Sequence, residues 1–294
     1  MPQLDIATLL HAPAAEPPWL VPDVLLQGQM AVMAGEPGVG KSVLAYALAL
    51  AVALDVPFLG RLVTPGHVLY FDEENSLPDL QEYLRWLWHG LERPLLTHAA
   101  RLHLFHFSLL GQPHRYPFMA QLANQHQPLL IIIDTATPAL DIQDEDKNAE
   151  ASRAISNLRK VQAAAGPACS VLILKHALLT HEKGARRTVR GAKAWEGATD
   201  GLFFHVAAAG RPRKDGLRAS HLEPGKVRAF GLRQELYIEP SWVGAGTERG
   251  LALSERQNAP KSPETLPKGR LRNIIPGNKG FGPSTRDTNS PDSA

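Results

Sequence analysis

The sequence predicts an α/β protein: a mainly parallel central sheet flanked by helices, with antiparallel strands at one end. Three observations carry that expectation. Short apolar runs alternate along the chain with longer stretches whose apolar residues recur every three or four positions. The short runs are apolar at nearly every position, as in strands covered on both faces. A glycine-rich turn joins the first of these runs to the longest apolar helix-like stretch, giving the strand–turn–helix order of a crossover unit.

Residues 1–28 are rich in Pro and Ala, with Pro17, Pro18 and Pro22 around Trp19, and read as an arm lying on a domain. The domain is expected over 29–243. Met30–Ala34 is its first predicted strand and Lys41–Leu54 its first helix, followed by a strand at His67–Phe71. Leu77, Leu80, Leu84, Leu87, Trp88 and Leu91 share one face at helical spacing, which predicts a helix over Leu77–Leu91. Leu102–Phe107 then reads as a strand, Pro117–His126 as a helix and Leu129–Ile133 as a wholly apolar strand. Ala151, Ala154, Ile155, Leu158 and Val161 make the buried stripe of a helix over Ala149–Ala165. Strands follow at Ser170–Leu174, Leu202–Val206, 217–223 and 233–239. From Gly244 onward Pro, Gly, Ser and Asn dominate. Such a stretch buries too little surface to offset chain entropy, so 244–294 is expected to be a disordered, solubilising tail.

Composition removes several classes of function. The chain has 294 residues, 31 Lys plus Arg against 29 Asp plus Glu, and a net charge of +2, which argues against a surface wholly given to nucleic acid but allows a local basic patch. A single cysteine, Cys169, excludes an intramolecular disulfide and any cysteine-cluster metal site, and suits a reducing compartment. The amino terminus lacks a basic segment before an apolar one, so it does not read as a secretory signal. The longest apolar run, Val43–Leu54, falls short of the roughly 20 residues a membrane-spanning helix needs. A cytoplasmic protein without a membrane partner is expected.

The strongest chemical signal is Gly35-Glu36-Pro37-Gly38-Val39-Gly40-Lys41-Ser42, a full match to G-x-x-x-x-G-K-[ST] between a predicted strand and a predicted helix. Glycines let successive backbone N–H groups wrap a phosphate, and the helix points its positive end at the same anion. Lys41 would bridge the terminal phosphates of ATP, Ser42 would hold Mg²⁺, and Val43 continues the binding segment into the helix. Asp134 ends the apolar run Leu129–Ile133 at the carboxyl edge where α/β sites form, and fits the Walker B role of holding Mg²⁺ through water; a lone Asp there can also simply cap a turn. The run His67–Phe71 leads into Asp72-Glu73-Glu74-Asn75. Glu74 is the first choice for orienting an attacking water and Glu73 the second, against the alternative that these acids only open the next helix.

With these residues in view, the chain resembles the RecA-like P-loop ATPases. Over residues 19–242 it resembles more narrowly the plasmid RepA-type hexameric helicases and the AAA_25 group. Leu69-Tyr70-Phe71-Asp72-Glu73-Glu74 is similar to that group's second strand. Asp134-Thr135, followed by the acidic Asp141–Asp146 loop, is similar to its Walker B region. Ile173-Leu174-Lys175-His176 resembles its sensor strand, and Arg190-Gly191-Ala192 its Arg-Gly-Ser turn with Ala in place of Ser. Lys226-Val227-Arg228 resembles the Lys-x-Arg finger of DnaB-type helicases, although alternate charges on a hairpin are equally read as a solvated face. The resemblance implies a homo-oligomer, in the family a hexameric ring, with ATP at each interface. It further implies that His176 senses the γ-phosphate and that Lys226 and Arg228 reach a neighbour's nucleotide.

The segment Thr180–Lys193 holds five basic residues against one Glu. Lys183, Arg186, Arg187 and Arg190 could neutralise the phosphates of single-stranded DNA, with Trp195 the one aromatic residue nearby; a solvated basic loop at a subunit interface is the alternative. The acidic Asp141–Asp146 loop would repel DNA. His103 and His106, three apart on a predicted strand, point to opposite faces and cannot share an ion, and His98, His114 and His126 lack ligand spacing. The expected function is an ATPase acting on DNA in replication or recombination, possessing or lacking helicase activity. The alternatives are an ATP-dependent switch assembling with a protein partner, a small-molecule kinase sharing the phosphate loop, and a strand-exchange filament protein.

Overall fold

The computed structural model describes residues 5–6, 11, 17–91, 96–106, 115–177, 188–189, 193–208, 212–227 and 231–256. In chain order the strands are β1 (Trp19–Val21), β2 (Leu25–Leu26), β3 (Met30–Gly35), β4 (Val68–Asp72), β5 (Leu102–Phe105), β6 (Leu130–Asp134), β7 (Ser170–His176), β8 (Gly201–Ala207), β9 (Ser220–Val227), β10 (Leu236–Val243) and β11 (Gly250–Arg256). The helices are α1 (Lys41–Leu54), α2 (Leu77–Gly90), α3 (Arg115–His126), α4 (Ala136–Ala139), α5 (Asn148–Ala165) and α6 (Ala194–Ala198).

Nine strands form one sheet in the order β11-β10-β9-β8-β3-β7-β6-β4-β5. The six from β8 to β5 are parallel, and β9, β10 and β11 add antiparallel strands on one side. Strand side chains alternate between the two faces, and both faces are buried. Val68, Tyr70, Leu130, Ile132, Leu172 and Leu174 enter the core under α1, whereas Leu69, Phe71, Ile131, Ile133, Val171 and Ile173 enter the core on the α3–α5 side. This explains why the strands read as continuous apolar runs. Helix α1 buries 12 of its 14 residues, so it is apolar nearly all round. The α5 stripe expected from sequence is buried as drawn, with Leu158 fully inaccessible.

The arm segment 17–28 is stitched into the domain. Leu20, Val21 and Leu25 are buried in the α1-side core, and the Thr64 amide donates to the Leu20 carbonyl at 2.9 Å. Where the sequence places the start of a disordered tail, the structure instead has β11, paired with β10 from Tyr237↔Arg256 to Val243↔Gly250. The alternating Leu251 and Leu253 are obscured in sequence by the glycines and polar residues around them. The two preceding strands also sit several residues later than expected, at 220–227 and 236–243, because one of their faces is only half-buried and their apolar signal is weak.

Helix α2 opens on Ser76, whose Oγ accepts from the Asp79 amide at 3.3 Å, and has Pro in its first turn. Its last turn lies directly on the start of β11. A Cβ on Gly90 would fall 2.0 Å from the Leu251 carbonyl oxygen, and one on Gly250 2.2 Å from the His89 carbonyl carbon. Backbone thus meets backbone, and neither contact can yield by side-chain rotation. Gly90→Ala or Gly250→Ala is therefore expected to push α2 off β11 and lower stability by roughly 1–3 kcal/mol, read as a reduced urea midpoint; Gly197→Ala, where a Cβ meets nothing within 4 Å and the backbone is not left-handed, controls for the loss of glycine alone.

Candidate functional site

The site is built where three strands end. Strand β3 stops at Gly35, between β7 and β8, and register places Gly35 beside His176 and His205. Glycine is required there: a Cβ would lie 2.6 Å from the His205 carbonyl oxygen. The chain then turns through Gly38 (φ 73°) and Gly40 (φ 94°), left-handed conformations that glycine adopts without strain, and enters α1 at Lys41. Gly40 offers no side-chain cap, and the first turn of α1 carries no acidic residue. The amino-terminal amides and the positive helix end are therefore left for an external anion. Lys41 is buried, with Nζ donating to the Gly35 and Glu36 carbonyls at 3.1 Å each. Burial lowers its pKa, while Glu74, Asp134 and Glu36 oppose that shift.

Strands β4 and β6 end in register on Asp72 and Asp134. Both carboxylates are buried: Asp134 is fully inaccessible and Asp72 1 % exposed. Each is held by a tyrosine, Tyr70 donating to Asp134 Oδ2 at 2.7 Å and Tyr46 to Asp72 Oδ2. The two rings stack with centroids 4.5 Å apart. Burial, then the charge of Asp72, push the Asp134 pKa up to about 7, against the pull of Tyr70 and the neighbouring Ser42 hydroxyl. Burial also raises Asp72, against the donors of Asn75 and Glu74. Asp134 Oδ1 is buried without a hydrogen-bond partner of ordinary geometry, beside Ser42. An orphaned carboxylate oxygen next to a hydroxyl, behind a phosphate-binding turn, fits a divalent cation with oxygen ligands, as Mg²⁺ requires.

Asp72 also shapes the turn that follows. Its Oδ1 accepts from the amides of Glu74 and Asn75 at 3.0 Å each and from Asn75 Nδ2 at 3.2 Å. This turn separates the two candidate bases. Glu74 faces the phosphate loop: it contributes to the field at Lys41, and its Oε2 lies 3.8 Å from His176 Nε2 at the end of β7. Glu73 turns the other way, its side chain 7 % exposed and its Oε1 3.9 Å from His106 Nδ1. Glu73 and Glu74, adjacent beyond the strand end, thus face in opposite directions.

Other expectations fare unevenly. Lys226 lies at the amino end of β8, opposite the phosphate loop, with Nζ donating to the Glu196, Gly197 and Thr199 carbonyls at 2.7–3.0 Å. It closes the carboxyl end of α6 within its own chain. Trp195 is fully buried beneath Lys175, whose Nζ lies 4.8 Å from the ring centroid, so it cannot stack on a base. Arg228, Lys183, Arg186, Arg187 and Arg190 lie outside the described residues. Cys169 is buried, its thiol pushed up to about 12 by burial, as suits a packing role. Sequence reasoning missed Tyr46, Tyr70 and the anchoring role of Asp72. Tyr46 stands one helical turn beyond Ser42 and Tyr70 two residues before Asp72, spacings that put each hydroxyl at the same edge. Charge alone did not single them out.

A cleft of about 180 Å³ beside the loop is lined by Gly35, Glu36, Val39, His205 and Arg218. A larger cavity of about 440 Å³ lies behind α1, between α2 and β11, and the side chains lining it are apolar and uncharged, which does not suit a triphosphate. No helix among the described residues is long and apolar enough to cross a membrane.

The family model for AAA domains, AAA_25, matches residues 1–182, more than half of the chain, and the chain belongs to that family. The match contains the phosphate loop, Glu74, Asp134 and His176, and ends before α6 and β8–β11. It supports a P-loop ATPase domain. No curated protein matches the chain.

The raised pKa of Asp134 gives a signed expectation. Between pH 4 and 7 the folded protein holds a proton that the unfolded chain has released, so this group withdraws stability as pH rises through that window. Asp134→Asn, which keeps an acceptor for Tyr70, should stabilise the nucleotide-free protein by roughly 1–3 kcal/mol above pH 7. The gain should shrink toward zero as pH falls to 4, as read from thermal melts across that range.

Proposed function

We propose that this AAA-domain protein is a Mg²⁺-dependent ATPase that works as a homo-oligomer on single-stranded DNA. The observation that carries the reading is the convergence of an unblocked helix terminus, the orphaned oxygen of Asp134 and the forward-facing Glu74 on one edge of the sheet. In this reading the Gly35–Ser42 amides and Lys41 hold the phosphates, and Ser42 and Asp134 hold the metal, which when bound neutralises charge on the phosphates. Glu74 orients the attacking water, and His176, within reach of Glu74, responds to the terminal phosphate. Asp72 holds the Glu74 turn in place. Arg228 remains the candidate for a charge supplied by a neighbouring subunit.

In sequence the basic segment Thr180–Lys193 begins four positions after His176, the last residue of β7. That continuity supports coupling between the nucleotide state and a grip on a polyanion. With Trp195 buried, the grip would rest on phosphate charge more than on base stacking, and would be strongly salt-dependent. The orientation of Glu74 toward the phosphates favours water as the acceptor, which weighs against a small-molecule kinase.

Phosphate release is expected to rise on adding single-stranded DNA at low salt, with the increase fading at high salt. Lys41→Ala should abolish hydrolysis, and a variant hydrolysing at the wild-type rate overturns the reading. Glu74→Gln should keep nucleotide binding and slow turnover by about 10²–10⁴-fold, whereas Glu73→Gln should have a much smaller effect. Hydrolysis that single-stranded DNA leaves unchanged at both salts would replace the DNA role with that of a switch serving a protein partner.

A further inference from the structure

At the end of the sheet opposite the phosphate loop, the fold gathers three histidines that lie far apart in sequence. His67 immediately precedes β4, His103 is on β5, and His126 is the last residue of α3. Leu69 pairs with His103, so His67 and His103 lie diagonally on one face of the sheet, the face that α3 covers. His67 Nδ1 is 3.1 Å from His103 Nε2. The rings of His103 and His126 have centroids 3.9 Å apart. One ring nitrogen from each of the three lies within 4.8 Å of the others, and among the described residues no other group of three potential ligands meets that closely.

We propose that His67, His103 and His126 form a binding site for one divalent transition-metal ion of the zinc class. Three imidazoles supply the ligands, and the fourth position opens to solvent.

Tetrahedral zinc with Zn–N bonds of about 2.0–2.1 Å sets its nitrogen ligands about 3.3–3.4 Å apart. The His67–His103 separation already approaches that edge, and small rotations of the partly exposed His126 bring in the third ligand. Nitrogen donors select zinc, copper, nickel or cobalt over magnesium and calcium, which take oxygen. His126 ends its helix, so the negative end of α3 faces the ion. The opposing charge nearby is Arg101. Neutral imidazoles have lone pairs to offer. Bound metal would clip β4, β5 and α3 together, a structural role separate from the nucleotide edge.

The test uses the full chain, freed of metal by dialysis against a chelator and kept in millimolar Mg²⁺ so that oxygen-donor sites are occupied. Zn²⁺ alone is titrated by calorimetry, and Co²⁺ is added separately as a spectroscopic reporter. One ion per chain is expected, with the intense visible absorption of tetrahedral cobalt and a raised unfolding midpoint on Zn²⁺ addition. His103→Gln and His126→Gln should each weaken Zn²⁺ binding by more than about 100-fold, beyond what loss of a second-shell partner costs. His221→Gln, on distant β9, should leave it unchanged. Far-UV circular dichroism checks that each variant is folded; if His103→Gln is not, the partly exposed His126→Gln carries the test. Absence of Zn²⁺ binding to the wild type, or undiminished binding in a folded His126→Gln, overturns the proposal.

Discussion

A helix buried on nearly every side must still satisfy the amides of its first turn. Helix α1 runs through the middle of one core and emerges at Lys41, where neither a side-chain cap nor an acidic residue meets its amino-terminal N–H groups. The rest of the site is arranged around that requirement. Strand β3 is the middle strand of the nine-stranded sheet, flanked by the parallel β7 and β8, so the turn from β3 to α1 opens at the carboxyl edge with a strand end on each side. Gly35 lets the turn pass close to β8, and the left-handed Gly38 and Gly40 direct its amides inward.

The second constraint is electrostatic. Two aspartates end adjacent strands in register, both buried, each with a tyrosine hydroxyl as donor. Burial raises both pKa values, and the charge of Asp72 adds to the rise at Asp134, a strain that a bound cation would relieve. The pair does two different jobs. Asp134 keeps one oxygen free toward the phosphate loop, while Asp72 spends its oxygens on the turn carrying Glu73 and Glu74. The same turn sends one glutamate toward His176 and the other toward His106, so position in the fold, and not residue type, separates their roles.

The opposite end of the sheet is organised by different means. There Lys226 closes the short helix α6, while along the α1 face the arm, α2 and β11 complete the core. The approach of Gly90 and Gly250 lets helix and strand backbones touch, which fixes β11 as part of the domain. The three-histidine cluster lies at that end too, on the face covered by α3, away from the nucleotide edge.

Much of this was legible from the chain alone. Helix α1 begins and ends where the phosphate-loop pattern and apolar run place it, and the stripe of α5 is buried as its periodicity requires. Gly35–Ser42 and Asp134 were found because their signals are local: fixed spacing within a loop, or an acid ending an apolar run. Strand β11 was missed because a half-exposed edge strand leaves only two alternating leucines as its mark. The surroundings of Trp195 and Lys226 were not legible, because composition reports charge and aromaticity without saying which way a side chain points. The choice of Glu74 over Glu73 as the loop-facing acid, the pairing of Asp72 with Asp134, and the meeting of His67, His103 and His126 all depend on which strands become neighbours and in what register. Local sequence determined the elements and the phosphate-binding turn, because backbone geometry repeats over a few residues. Tertiary structure decided the rest, because cross-strand register joins residues that spacing along the chain cannot relate.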